Sequence, residues 1–299
     1  MLDFGSAFFI RRERHPEAPD VSGEPGAAPL RVLALLPEAE TVASCLQCAR
    51  AVVAGVPKAK IDAVHVGFDP EHTIVSAEEL GIQLLRESWE GSAASRLART
   101  RAAFDDWLAG DPQPPVTWRV HPREVDLAVI AEAEQADLLV IGRPIHLDGR
   151  DALFTALFHT RRPVLLAPPD PSPVERTFGR HLVVGWKPTD QAERAVTAAA
   201  PWLKRAEKVT VVCISKPGTP PYAASAARLF DRLGIACDIE TKARDGRSVG
   251  GQLLAEVRRL GGDGLVIGAF RHGPMWEAIL GGVTRDVLAT MDVPVFTMR

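Results

Sequence analysis

The 299-residue sequence contains no apolar run approaching the roughly 20 residues that span a bilayer. Its apolar runs, such as 138–141, are of strand length, so no transmembrane segment is expected. Near the start, Ala7, Phe8, Phe9 and Ile10 are too few for a signal-peptide core, and the basic residues Arg11, Arg12 and Arg14 follow them instead of preceding them. A cytoplasmic protein is expected. Cysteine is scarce: Cys45, Cys48, Cys213 and Cys237 are too few and too scattered for a disulfide framework in a chain of this size, and reduced thiols follow. Basic charge is not in excess either. With 35 Lys and Arg against 38 Asp and Glu, the net charge is −3, which supplies no basic surface for nonspecific nucleic-acid binding.

What is present is an ordinary globular composition, 46% hydrophobic and 24% charged. At about 150 residues per domain, the length suggests two domains. Residues 16–29 hold Pro16, Pro19, Gly23, Pro25, Gly26 and Pro29 with almost no large apolar side chains, which predicts a flexible leader over 1–29. Beyond it, the runs 31–36, 61–66, 116–120, 138–141 and 164–167 read as strands. Helical patterns at 42–53, 78–108, 125–136 and 152–158 alternate with them. Near-continuous apolar strands joined by helices form a parallel sheet covered on both faces, because every crossover passes over a face. Pro168, Pro169, Pro171 and Pro173 then interrupt the pattern, since proline lacks the donor that a strand or helix interior needs. This divides the chain into a first domain at 30–168, a linker at 169–179 and a second domain at 180–299.

The second half repeats the order. Strands are predicted at 182–186, 209–214, 237–241, 265–267 and 295–297, and helices at 191–203, 223–233, 249–260 and 283–289. Ala136-Asp-Leu-Leu-Val-Ile-Gly142 resembles Gly262-Asp-Gly-Leu-Val-Ile-Gly268, and Arg162-Pro-Val-Leu-Leu166 resembles Val293-Pro-Val-Phe-Thr297. A drifted duplication accounts for this, with the extra length of the first copy in its long second helix. The expected fold class is α/β: two tandem, doubly wound parallel-sheet domains of five strands each, on separate sheets, each opening a cleft at its carboxyl edge.

The segment after the fourth strand of the second copy reads Gly268-Ala-Phe-Arg271-His-Gly-Pro-Met-Trp-Glu-Ala-Ile-Leu-Gly281-Gly282-Val-Thr284. It resembles the universal stress protein family, whose nucleotide-binding members have Gly, two residues, Gly, nine residues, then Gly and Ser or Thr. Gly268 and Gly281 keep the outer spacing. A strand-end glycine lets backbone approach a phosphate, and free amides at the next helix start donate to it. The resemblance implies a Rossmann-like (HUP-type) fold and an adenine nucleotide such as ATP held in the second domain by Gly268, Arg271, Gly281, Gly282 and Thr284, with Trp186 beside the base. Three positions depart from the pattern: Arg271 stands at the second glycine, Gly282 at the Ser or Thr, and Lys187 at the acidic position after the first strand. Arg271 either obstructs the phosphate route or grips phosphate oxygens from the side. The first copy lacks the glycine pair and is expected not to bind. The resemblance also implies pairing of two domains through the strand that follows Pro294, so that the two halves of one chain, or two chains in a homodimer, associate there.

Cys45 and Cys48 have redox spacing but share the apolar face of a helix, where they read as small hydrophobes. His65 reads as a satisfied sheet-end histidine, His272 as a loop histidine, and Trp186 and Trp276 as core or base-stacking residues. No Walker sequence, serine-glycine-glycine loop or carboxylate pair for magnesium is found. The expected function is therefore stress-response binding and association, not turnover. The alternatives are a weak ATP-hydrolysing or adenylate-transferring enzyme and a purely structural partner-binding module.

Overall fold

The computed structural model describes residues 29–68, 77–110, 115–121, 124–169, 178–216, 222–269 and 282–299. The expected leader up to residue 28 and residues 170–177 of the linker lie outside them.

The N-terminal half runs β1 Arg31–Leu35, α1 Val42–Val53, β2 Lys60–His65, α2 Ala77–Glu90, α3 Ala93–Leu108, β3 Val116–Val120, α4 Val125–Ala133, β4 Leu138–Gly142, α5 Leu147–His159 and β5 Val164–Ala167. The C-terminal half runs β6 His181–Gly185, α6 Asp190–Arg205, β7 Lys208–Ser215, α7 Ala223–Leu233, β8 Asp238–Ala243, α8 Val249–Leu260, β9 Gly264–Gly268, α9 Gly282–Thr290 and β10 Val295–Met298. Within each half the strands pair in parallel, with successive residues turned to opposite faces and helices on both.

The expectation of two separate sheets is corrected. One ten-stranded sheet runs β3-β2-β1-β4-β5-β10-β9-β6-β7-β8. The halves meet through β5 and β10, which pair antiparallel with Val295 opposite Leu166, Phe296 opposite Leu165 and Thr297 opposite Val164. Each of these strands is the outer strand of its half on that side, with a row of donors and acceptors that must be paired or wetted. Joining them satisfies both rows. Pro163 and Pro294 stand just before the joined strands, and their carbonyls accept from the backbone N–H groups of Leu139 and Leu265 at 3.0 Å each.

The core continues across the joint on both faces. One side runs from Val32 and Val140 through Leu165, Phe296 and Trp202 to Val184 and Val211. The other runs from Leu33 and Leu139 through Leu166 and Val295 to Leu265 and Val183. Trp202 on α6 is buried there, its ring 5.4 Å from that of Phe296, and its Nε1–H donates to the Val52 carbonyl at the end of α1 at 2.9 Å. Arg205 Nη2 donates to the Ala54 carbonyl at 3.0 Å, and Arg143 Nη1 to that of Ala289 at 2.8 Å.

Element boundaries differ from expectation in three places. The predicted 78–108 helix is two helices, because Gly91 takes a left-handed φ of 84° and the Ser92 side chain accepts from Ser95 N–H at 3.3 Å to start a second one. The 125–136 helix stops at Ala133. Helix α5 begins at Leu147, before the expected 152. Its extra first turn belongs to a buried polar cluster described below.

Candidate functional site

In the C-terminal half β6 and β9 are neighbours, and the chain leaves their carboxyl ends in opposite directions: β6 connects toward β7, β9 toward β10. Such a switch point opens a crevice beyond the strand ends. A cavity of about 500 Å³ occupies it, bordered by the ends of β6, β7 and β9 and the first turns of α6, α8 and α9. That volume falls in the range of small-molecule pockets. The interior wall is apolar, from Val212, Ile214, Leu253 and Ile267.

Four of the six residues expected to hold a nucleotide border this cavity, Trp186, Gly268, Gly282 and Thr284, and so does Lys187. Arg271 and Gly281, together with His272 and Trp276, lie outside the described residues. Trp186 is buried and its indole N–H is already engaged, donating to Ser225 Oγ at 3.0 Å. It therefore offers ring surface and no donor. Gly268 is constrained by packing: a Cβ there would lie 2.5 Å from the backbone nitrogen of Ala192, because α6 begins directly against the end of β9. Gly142 meets Thr41 in the same way at the end of β4. A Cβ on Gly282, by contrast, would find nothing within 4 Å. The start of α6 is closed by its own Thr189, whose Oγ1 accepts from Ala192 N–H at 3.3 Å.

Three cations that follow successive strands border the same cavity: Lys187 after β6, Lys216 after β7 and Arg244 after β8. All three are exposed, and none forms an ion pair among the described residues. No carboxylate is among the described residues that border the cavity. Lys216 and Arg244 are not recognisable from any linear motif, since they converge only when the strand ends align.

The corresponding edge of the N-terminal half is filled by its own side chains. Glu38, after β1, is 5% exposed, and its carboxylate accepts from the backbone N–H groups of Ile145 at 2.9 Å and His146 at 2.8 Å, at the start of α5. Burial pushes the Glu38 carboxyl above its usual pKa, and these two N–H groups oppose the shift. Gly149 permits this seat, because a Cβ there would lie 2.8 Å from Glu38 Oε2. Asp148, also buried, accepts from Phe68 N–H at 3.1 Å and pairs with Arg86 Nη2 at 2.7 Å and Arg96 Nε at 3.5 Å. The two arginines come from α2 and α3, where the C-terminal half has the single helix α7.

His65 Nδ1 lies 2.8 Å from the Leu36 carbonyl, so the imidazole is a satisfied sheet-end group, and burial lowers its pKa. Cys45 and Cys48 are buried on α1; burial pushes the Cys45 thiol well up, away from the thiolate that redox chemistry needs.

The architecture is that of a tandem, doubly wound α/β protein whose C-terminal half opens a basic-rimmed cleft at its switch point. No family model matches the sequence, and no curated protein matches it. Among solved structures, the chain is similar to a universal stress protein from Archaeoglobus fulgidus DSM 4304, with TM-score 0.58 and 16% identity over 90% of this chain and 96% of that one. It is also similar to a functionally unknown protein from Pseudomonas aeruginosa PAO1, with TM-score 0.53 and 11% identity over 91% and 92% of the two chains. The chain thus has the fold of the universal stress proteins along nearly its whole length. No helix among the described residues is long and apolar enough to cross a membrane.

Proposed function

We propose that the chain is a cytoplasmic stress-response protein of the universal stress type, which acts by binding a ligand and by association instead of turnover. An adenine nucleotide is the ligand assigned to the C-terminal cleft. The observation that carries this reading is the 500 Å³ cavity at the β6–β9 switch point, which gathers Trp186, Gly268, Gly282 and Thr284 around an apolar wall with a cationic rim. The apolar wall suits a base, the rim suits phosphates, and the helix that starts at Gly282 presents its positive dipole end to the cleft. The domain division at 169–179 belongs to the same reading.

Calorimetry of the full chain with millimolar ATP tests it. A saturable signal that is lost in Gly282→Asp, where a carboxylate enters the cleft, supports the nucleotide site. No signal confines the function to association with a partner. Phosphate release above a no-protein control would instead establish the enzymatic alternative.

A further inference from the structure

We propose that the C-terminal cleft takes a small ligand bearing two or more negative charges, seated over the ends of β6, β7 and β8 by Lys187, Lys216 and Arg244 without a divalent cation. The inference rests on the reading of this cleft as a ligand site and names the chemistry that it selects.

The three residues follow three adjacent strands in the order β6-β7-β8. Neighbouring strands lie about 4.8 Å apart, so the three strand ends span roughly 10 Å. One compact anion would occupy one or two of these positions. A chain of linked anionic groups, such as a diphosphate or triphosphate, can meet all three. Each cation reaches the cavity from an exposed position, and among the described residues none of the three is committed to an ion pair.

Metal use is a separate question from charge. A divalent cation bridging phosphates takes its remaining ligands from carboxylates, carbonyls, hydroxyls or water, with one or two carboxylates usual. The described residues bordering this cleft offer the hydroxyls of Thr189, Ser215, Tyr222 and Thr284 and no carboxylate. Three cations already neutralise the charge that a metal would otherwise offset. A magnesium-bound nucleotide, less negative than the free one, would gain less from the rim.

The N-terminal half shows the same edge answered from within. There the carboxylate of Glu38 sits on the N–H groups of Ile145 and His146, and Asp148 meets Arg86 and Arg96. In the C-terminal half the equivalent edge presents its cations toward a cavity. The apolar wall of Val212, Ile214, Leu253 and Ile267 leaves room for an uncharged body beside the anionic groups.

The test is calorimetry on the full chain with three probes: ATP in EDTA, ATP with excess magnesium, and inorganic pyrophosphate. Each is repeated with Lys187→Ala, Lys216→Ala and Arg244→Ala, whose melting curves confirm folding. ATP in EDTA is expected to bind at least as tightly as with magnesium, and Lys216→Ala and Arg244→Ala each to weaken it about tenfold, the effect of one charge-assisted hydrogen bond. ATP that binds only with magnesium, or equally well to all three variants, overturns this proposal and leaves the nucleotide reading standing. Pyrophosphate binding that the variants weaken, without ATP binding, keeps the proposal and removes the adenine nucleotide. If neither probe binds, both fall.

Discussion

Glu38 closes the first turn of a helix more than a hundred residues away: its Oε2 accepts from the backbone N–H of His146 at 2.8 Å. With Oε1 on Ile145 N–H, one buried carboxylate satisfies two donors that a helix start otherwise leaves open. Glu38→Ala strands both donors and is expected to cost about 1–3 kcal/mol, while Glu38→Gln, which keeps one acceptor, costs less. Urea denaturation at neutral pH measures both variants. An unchanged midpoint for Glu38→Ala would show that solvent replaces the carboxylate without loss.

The two cleft glycines should separate sharply. Gly268→Ala forces a Cβ to within 2.5 Å of the Ala192 backbone and is expected to cost about 1–3 kcal/mol as overpacking. Gly282→Ala meets nothing within 4 Å and adds a better helix former, so the melting temperature should hold or rise. Thermal melts of the two variants side by side check this. Loss of ligand binding in Gly268→Ala would report on the fold before it reported on the site.

His65 should make stability depend on pH. Burial holds its imidazole below the ordinary value near 6.5, against the opposing effects of the Leu36 carbonyl and Asp148, while Arg96 lowers it further. Between the folded and unfolded values the unfolded chain binds more protons, so stability is fully present above pH 6.5 and is lost as pH falls through that window. Burial shifts Glu38 and Asp151 in the opposite sense, to pKa values above their ordinary ones. The His65 contribution is therefore read as a difference from His65→Gln. Urea midpoints at pH 7.5 and 5.5 should fall more for the native chain than for the variant, and parallel changes would refute it.

Periodicity located all ten strands to within about two residues, because a buried parallel strand is a short unbroken apolar run, and sequences such as Leu138-Leu-Val-Ile141 have few other uses. The break between α2 and α3 was written in Gly91-Ser92 but concealed by helical patterning on both sides. The joining of the halves was legible only in part: the family resemblance implied pairing through the strand after Pro294, which is β10, whereas separate sheets were expected. At the cleft, Gly268, Gly282 and Thr284 stood out through spacing around one loop, and Trp186 as an indole directly after the first strand of its half. Lys216 and Arg244 did not, since each follows a different strand and has no neighbour in sequence to mark it. The Glu38 seat was equally hidden, because nothing in Pro37-Glu-Ala-Glu40 specifies a partner at residue 146.

The antiparallel joint between β5 and β10 also limits how copies of this molecule can assemble. Among the described residues, β3 and β8 are the margins of the ribbon, and both carry charge: Arg119 on β3, and Asp238, Glu240 and Lys242 on β8. Short, charged margins resist growth by strand addition into fibres. Among the described residues, neither margin of the sheet offers a long apolar template on which another strand could be laid.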